Sequence, residues 1–191
     1  MPKLPPFPGF PNGPQRRFTH YESLARAIVY QQVTGKAAAT IFGRVCALTP
    51  GRRFPKPEAL IRFSEEQLRG AGLSRNKALA VRDLAARLLD GRLSLAAIGR
   101  RDDDEVIERL VQVRGIGVWS ARVFLIFKLG RLDVLPVGDL GIQEGVRIIH
   151  GLTSRPTPKE LERRGEAWRP LASVGSWFAW RALEASRAGE L

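Results

Sequence analysis

Apolar residues recur along most of the chain at intervals of three and four positions, the spacing that places them on one face of an α-helix. No stretch alternates apolar and polar residues one by one, as a half-buried β-strand would. The pattern therefore predicts an all-α fold. Its helices are expected at about 19–33, 36–48, 57–63, 74–89, 105–113, 118–129, 140–149, 157–164 and 170–188.

Several of these helices carry a start signal. Thr19 and Glu22 have the spacing of a capping box, and Ser64 and Gln67 repeat it. Asp102 heads an acidic run that can cap the helix at 105–113 and complement the positive end of its dipole. These positions predict where individual helices begin.

A tight turn that contains Gly115 and Gly117 joins the helices at 105–113 and 118–129. Glycine adopts positive φ angles readily and lets a second backbone approach closely. The second helix starts directly after the turn, so its first amide groups point outward and can bind an anion. A plain helix–turn–helix corner without a ligand explains the same glycines, so the turn alone leaves both interpretations open.

Charge narrows the choice of partner. The 191 residues include 31 lysines and arginines against 19 acidic residues, a formal net charge of +12. This excess, mostly arginine, suits the phosphates of a nucleic acid, although simple solubility or arginine-rich codon usage explains it as well. With 44% hydrophobic residues, the chain is expected to form one domain or two lobes that share a core.

The single cysteine, Cys46, excludes a disulfide or a four-cysteine zinc or iron–sulfur site within this chain. No segment approaches the ~18 apolar residues of a membrane-spanning helix. Residues 1–17 hold six prolines and no apolar signal-peptide core, and are expected to form an irregular arm ahead of a helical domain at 18–191. The protein is therefore expected inside the cell, in the cytoplasm or nucleoid if it is bacterial, without a membrane partner.

Two stretches together resemble a known family. RGIGVWSARVFL is similar to the helix-hairpin-helix of the DNA glycosylase superfamily. LDVLPVGDLGIQEGV is similar to the loop and aspartate that follow this hairpin in the alkylation-repair branch, the 3-methyladenine DNA glycosylase II enzymes. The likeness extends over roughly residues 18–185. It implies a two-lobed helical glycosylase fold, with the helix-hairpin-helix at about 105–129 and no N-terminal β domain.

Asp139 is the predicted catalytic residue. By itself, an aspartate at this position most simply caps the helix that follows it. The resemblance implies a second task, because Asp139 matches the catalytic aspartate of the family. Cleavage of an N-glycosidic bond builds positive charge on the sugar, which a fixed carboxylate stabilises while it orients the attacking water. The competing acid, Asp133, is expected to be structural.

Aromatic and amide side chains complete the site that the resemblance implies. Trp119 occupies the position at which strand-cutting relatives carry a lysine, and an indole cannot form a Schiff base, so we expect water to be the nucleophile. Trp119 and Trp180 match pocket-lining aromatic residues, whose rings attract a cationic base. Gln31 would border the pocket, and Gln32 would plug the gap that the flipped nucleotide leaves. Considered alone, Trp119 fits a core residue and the glutamines fit solvent-facing amides.

The hairpin is expected to hold the DNA backbone. The expected contact residues are Arg114, Gly115, Ile116 and Gly117, although Arg114 stands where a proline is common in the family and fits a simply exposed residue as well. In the superfamily, three hairpin carbonyls can also bind a monovalent cation that bridges to a phosphate, and the matching residues are Val111, Val113 and Ile116. Because any residue supplies a carbonyl, a Na⁺ or K⁺ ion here follows from the resemblance alone. No cofactor is expected to be required.

The resemblance implies a monofunctional glycosylase that acts as a monomer on double-stranded DNA. Its substrates would be alkylated bases of the 3-methyladenine and 7-methylguanine type, removed in base excision repair. Such bases are cationic and leave without prior protonation, so one carboxylate suffices. Two alternatives stay open: a helix-hairpin-helix module that binds DNA without catalysis, and a glycosylase for uracil, hypoxanthine or a mismatched base.

Overall fold

A computed structural model describes residues 5–11, 16–51 and 53–190, and within them the chain forms ten α-helices and no β-strand. The all-α prediction is therefore confirmed. The helices are α1 (His20–Tyr30), α2 (Gly35–Cys46), α3 (Pro57–Leu60), α4 (Glu65–Gly70), α5 (Arg75–Leu89), α6 (Asp103–Leu110), α7 (Val118–Phe124), α8 (Leu140–His150), α9 (Pro158–Gly165) and α10 (Ala172–Arg187). A π-helical turn at Leu125–Leu129 directly follows α7 in the chain. None of the helices within these ranges is long and apolar enough to cross a membrane.

The predicted start signals act as caps. The Thr19 hydroxyl accepts the Glu22 N–H at 3.1 Å and the Glu22 carboxylate accepts the Thr19 N–H at 2.7 Å, which completes the capping box of α1. Ser64 and Gln67 form the same pair of bonds at α4. The carboxylate of Asp102 caps α6. Each bond satisfies an amide that has no acceptor within its own helix.

Several helix ends lie two or more residues from their predicted positions, and the local contacts explain two of these differences. The first helix ends at Tyr30, earlier than predicted, because the backbone turns away and Gln32 adopts a φ of +54°. The last helix starts at Ala172 instead of Pro170, because the Asp133 carboxylate accepts the Ala172 N–H at 3.2 Å and caps the helix there. The expected structural role of Asp133 is thereby confirmed.

The chain divides into two compact units. The N-terminal unit comprises residues 17–124 and contains α1 to α7. The C-terminal unit comprises the described residues of 1–16 together with 125–190, so the arm residues 5–11 belong with α8 to α10. Residues 1–4 and 12–15 of the predicted arm lie outside the described residues.

In the N-terminal unit, α1 contacts α2, α5 and α7, and α5 also contacts α3 and α4. The apolar face of α1 is almost completely buried, and its buried residues include Leu24, Ala25, Ile28 and Val29. Burial contributes about 1.5–3 kcal/mol for each large aliphatic side chain. This packing holds the C-terminal end of α1 in place beside its neighbours.

In the C-terminal unit, α8 crosses α10 at the distance of backbone contact. A Cβ added at Gly145 of α8 would overlap the Ala179 carbonyl of α10. A small apolar core surrounds the crossing and consists of Leu135, Ile142, Val146, Leu161, Ala172 and Ala179. Trp180 packs against this core. The crossing therefore sets how close Trp180 lies to the start of α8.

Replacement of Gly145 by alanine is expected to destabilise the protein by about 2–4 kcal/mol, because the added methyl group forces two backbones apart. Urea unfolding followed by circular dichroism measures the change in free energy. Gly43→Ala is the matched control, since Gly43 also lies within a helix and a Cβ there meets nothing within 4 Å. The control is expected to be neutral or more stable, and equal loss in both variants would contradict the close crossing.

Candidate active site

The glycine hairpin lies in the N-terminal unit, between α6 and α7. The Ile116 N–H donates to the Val113 carbonyl at 3.0 Å, and both side chains are buried. Gly115 has a φ of +78°, a conformation that favours glycine. Arg114, Gly115 and Gly117 are exposed. The turn is thus anchored by two apolar side chains and presents three of the four predicted DNA-contact positions to solvent.

The start of α7 offers hydrogen-bond donors to an anion. The first helical bond of α7 runs from the Ala121 N–H to the Gly117 carbonyl at 3.0 Å. Amide groups that precede Ala121 in this helix therefore have no acceptor within it, and the positive end of the helix dipole lies there. The first turn of α7 carries no acidic residue. This arrangement suits a phosphate oxygen.

The carbonyl groups predicted to bind a cation lie before and within the turn. Val111 follows the last residue of α6, where carbonyls lack helical partners. The Val113 carbonyl accepts the Ile116 N–H but has a second lone pair. Neutral carbonyl oxygens are suitable ligands for a hard cation such as Na⁺ or K⁺. Carbonyl groups at these positions have the chemistry that such an ion needs, and its presence stays a prediction.

Asp83 of α5 accepts a hydrogen bond from the hairpin backbone, a contact that the sequence did not predict. Its Oδ2 accepts the Arg114 N–H at 2.8 Å and the Nε–H of Arg87 at 2.9 Å. A Cβ at Gly115 would lie 3.1 Å from the Cβ of Ala80, also on α5. Small residues and one carboxylate thus let α5 support the turn without covering its outer face.

Gln31 is a second residue that hydrogen-bonds to the hairpin. Its Nε2 donates to the Gly115 carbonyl at 2.8 Å and to the hydroxyl of Ser120, on α7, at 3.3 Å. Gln31 is therefore tied to the hairpin and is not a solvent-facing amide at a helix end. Its predicted place at the border of a base pocket stays a prediction.

Gln32 is exposed and has a left-handed backbone, which costs a residue with a Cβ about 1–2 kcal/mol. The end of α1 just before it is held by Lys77, whose Nζ donates to the Val29 carbonyl at 2.7 Å. Burial lowers the pKa of the Lys77 amine. A strained, exposed side chain on a well-held helix end is compatible with the predicted plug, which stays a prediction.

Trp119 lies in the first turn of α7 and is 48% exposed. An indole buried in a core would show only a few percent of its surface. The interpretation of Trp119 as a plain core residue is therefore wrong, because about half of its surface is exposed to solvent next to the hairpin.

Asp139 and Trp180 meet in the C-terminal unit. Asp139 is only 7% exposed, and its Oδ1 accepts the Ile142 N–H at 2.9 Å, so it caps α8 as expected. The same Oδ1 accepts the indole N–H of Trp180, on α10, at 3.1 Å. A Cβ at Gly141 would lie 3.0 Å from Oδ1 and 3.2 Å from Cδ1 of Trp180. The two predicted residues are thus in direct contact, and Gly141 leaves room for that contact.

The loop before Asp139 is held by backbone and side-chain bonds. The Asp139 N–H donates to the Pro136 carbonyl at 2.9 Å, and Nε2 of the buried Gln143 donates to the Val137 carbonyl at 2.9 Å. Neither Gln143 nor Gly141 was predicted. The spacing of Gly141 and Gly145, four residues apart on one helix face, is the sequence signal that marks a close helix approach.

Comparison with known proteins places this geometry in a family. Residues 25–170 match the model of the HhH-GPD superfamily base excision DNA repair proteins. The chain belongs to this family. The helix-hairpin-helix fold expected from the sequence is thereby confirmed.

Several relatives are named DNA-3-methyladenine glycosylases. DNA-3-methyladenine glycosylase 1 of Schizosaccharomyces pombe is 34% identical over 90% of this chain and 75% of that protein. The DNA-3-methyladenine glycosylase of Saccharomyces cerevisiae is 38% identical over 86% of this chain and 58% of that protein.

Solved structures agree with these relatives. The S. pombe 3-methyladenine DNA glycosylase in complex with abasic DNA has a TM-score of 0.83 and 30% identity, and the match covers 99% of this chain and 88% of that one. A DNA-3-methyladenine glycosidase from Bacillus halodurans has a TM-score of 0.78 and 37% identity, with coverage of 97% and 81%.

Replacement of Asp83 by alanine is expected to weaken binding of duplex DNA about 5- to 30-fold, because the hairpin amide loses its acceptor and the turn its support. Fluorescence anisotropy at fixed salt measures the Kd. Asp90→Ala is the matched control, since Asp90 follows the same helix and pairs with exposed Arg92. Both variants remove one negative charge, so electrostatics alone would tighten binding in both, and tightening by Asp83→Ala would contradict the support role.

Proposed function

We propose that this protein is a monofunctional DNA glycosylase that hydrolyses the N-glycosidic bond of alkylated bases in double-stranded DNA. The observation that carries the proposal is the buried Asp139 carboxylate, held by a helix amide and by an indole N–H. Membership of the base excision repair family and relatives named DNA-3-methyladenine glycosylases support the same reaction.

The carboxylate is placed to stabilise positive charge on the sugar. Two donors, the Ile142 N–H and the Trp180 indole N–H, converge on one oxygen and thereby fix the orientation of the carboxyl group. As the bond from C1′ to the base nitrogen breaks, its electron pair leaves with the base and positive charge develops on the sugar. Water then attacks C1′ and Asp139 takes its proton as general base. The products are a free base and an abasic site.

The proposed substrates are bases that can leave the sugar without first being protonated by an acidic side chain. A base of the 3-methyladenine or 7-methylguanine type is already cationic, so it becomes neutral as it leaves. Electron-rich indole rings attract such a cation by stacking and by cation–π interaction. Trp180 lies against the carboxylate and Trp119 is half-exposed beside the hairpin, and we assign both to recognition of the base.

Base flipping requires a side chain that fills the vacated space, since loss of stacking costs a few kcal/mol. Gln32 is exposed and held on a strained turn, and we assign it the role of the plug. An amide can also hydrogen-bond the base that has lost its partner. Gln31 is bound to the hairpin, so it would fix the position of the neighbouring Gln32 relative to the hairpin. Gln31 would also border the flipped base.

The hairpin is the proposed contact to the DNA backbone. Amide groups at the start of α7 and the exposed Arg114 would bind phosphate oxygens, aided by the net charge of +12. A Na⁺ or K⁺ ion on the carbonyls of Val111, Val113 and Ile116 would bridge to a phosphate. We propose that the protein acts as a monomer inside the cell, in the cytoplasm or nucleoid if it is bacterial.

Substitution of Asp139 by asparagine is expected to lower base release by about 100- to 1,000-fold, because the charge that stabilises the sugar cation is lost. An asparagine oxygen still caps α8, so the fold and duplex binding should persist. Release of free methylated bases from alkylated DNA measures the activity. Asp133→Asn, which alters only the structural acid, is the control and should retain the wild-type rate.

The same assay discriminates the alternatives. A wild-type protein that binds duplex DNA but releases no base would be a non-catalytic binding module. A set of duplexes with one modified base each identifies the lesion: cationic alkylated bases are expected to be released, and preferential release of uracil, hypoxanthine or a mismatched base would overturn the substrate assignment.

Borohydride reduction during turnover is expected to produce no covalent protein–DNA adduct, because the position next to the hairpin holds an indole and no amine. Denaturing electrophoresis of labelled duplex after reduction reveals any adduct. A trapped complex that requires the lesion would show that a lysine attacks the sugar and that the enzyme is not monofunctional.

A further inference from the structure

The described part of the N-terminal arm, residues 5–11, docks onto the C-terminal unit through two phenylalanines. Phe7 meets the ring of Trp177 edge-on, with centroids 5.6 Å apart. Phe10 meets the ring of Phe127 edge-on, with centroids 4.9 Å apart and an angle of 75°. Proline has no amide hydrogen for a ladder of backbone bonds, so a proline-rich segment is suited to docking through side chains.

A glycine permits this approach. Gly130 has a φ of +73°, and a Cβ there would lie 3.1 Å from the Phe10 carbonyl and 3.3 Å from Cδ of Pro11. Beyond the docked segment, the Nε–H of Arg16 donates to the Pro11 carbonyl at 2.7 Å. The arm is therefore seated at a defined place and does not merely lie over the surface.

Phe7 and Phe10 contact different aromatic residues, and only the partner of Phe10 stacks on Trp180. Phe127, the partner of Phe10, stacks on Trp180 with centroids 5.4 Å apart and planes 29° from parallel. Trp180 in turn donates its indole N–H to Oδ1 of Asp139. Phe127 lies in the π-helical turn at Leu125–Leu129, a local geometry that often occurs at functional sites. A continuous line of contacts thus runs from the arm to the carboxylate.

We propose that Phe10 is a positioning residue for the active site: it fixes the ring of Phe127, which fixes the plane of Trp180 and keeps the indole N–H on Asp139. The proposal rests on the proposed function of Asp139. The edge of Phe10 blocks one way in which Phe127 can rotate, and the stacked Phe127 ring restricts the indole in the same way. The proline-rich arm then helps to position the catalytic carboxylate and does not act only as a terminal extension.

The expected consequence is a slower chemical step with unchanged DNA binding. A carboxylate or indole displaced by a fraction of an ångström loses transition-state stabilisation, whereas the hairpin is untouched. Phe10→Ala should therefore reduce single-turnover base release about 10- to 100-fold at saturating enzyme, while the Kd for duplex DNA stays within about twofold. Phe10→Leu, which restores bulk, should recover most of the rate.

Phe178→Ala is the matched control. It removes a ring from the same unit, and Phe178 meets Trp177 edge-on with centroids 4.9 Å apart, outside the line of contacts from Phe10 to Asp139. Phe7 does not serve as a control, because its ring also meets that of Phe10, with centroids 4.9 Å apart. Phe178→Ala should keep base release within about threefold of the wild type. Equal losses of rate in Phe178→Ala and Phe10→Ala, in step with equal losses of thermal stability, would show that Phe10 only stabilises the fold and would overturn the proposal.

A double-mutant cycle with Trp180→Phe tests the line of contacts itself. Trp180→Phe keeps a ring but removes the indole N–H, so Asp139 loses the bond that Phe10 is proposed to protect. In this background Phe10→Ala should cause little further loss of rate, whereas independent sites would give losses that multiply. Multiplying losses would overturn the proposal. Should Phe10→Ala fail to fold, Phe10→Val, which keeps part of the side chain but no ring, takes its place in the cycle.

Failure of this proposal is distinguishable from failure of the proposed function. If Asp139→Asn retains base release, Asp139 is not the catalytic residue and the function as proposed is wrong. If Asp139→Asn abolishes base release while Phe10→Ala is fully active, only the positioning role of the arm is wrong.

Discussion

One carboxylate oxygen, Oδ1 of Asp139, is the point on which the C-terminal unit depends. It caps α8 by accepting the Ile142 N–H, and it accepts the indole N–H of Trp180 from α10. The bond to Trp180 requires the two helices to lie close together, and Gly145 permits their backbones to come into contact. Helix capping, core packing and the proposed chemistry therefore share one atom, and a change that affects one of them affects all three.

The two units use helix N-termini in opposite ways. At the start of α8 the acceptor is internal, since Asp139 supplies it. At the start of α7 a glycine hairpin precedes the helix and no acidic residue lies in the first turn, so an anion from outside can take that place. The positive N-terminal end of a helix thus stabilises the Asp139 carboxylate in one unit and, as proposed, binds a DNA phosphate in the other.

Contacts close in sequence were predictable, and contacts between distant residues were not. The capping box of Thr19 and the cap formed by Asp139 each join residues three apart, so spacing alone reveals them. Gln31 was singled out by family resemblance, but its bond to the Gly115 carbonyl spans 84 residues and has no sequence pattern. The contact of Asp83 with the hairpin is of the same kind, because it joins residues 31 apart and no sequence pattern pairs this acid with Arg114.

Gly141 and Gly145 stand two and six positions after Asp139, on the face of α8 that meets α10. Glycines at these intervals after a capping acid let the first turn of the helix pack closely against a neighbouring helix. The capping acid is then buried together with that turn. Aspartates that head such helices in uncharacterised chains are consequently good places to look for buried, functional carboxylates, whereas the many aspartates that cap bulkier helices remain at the surface.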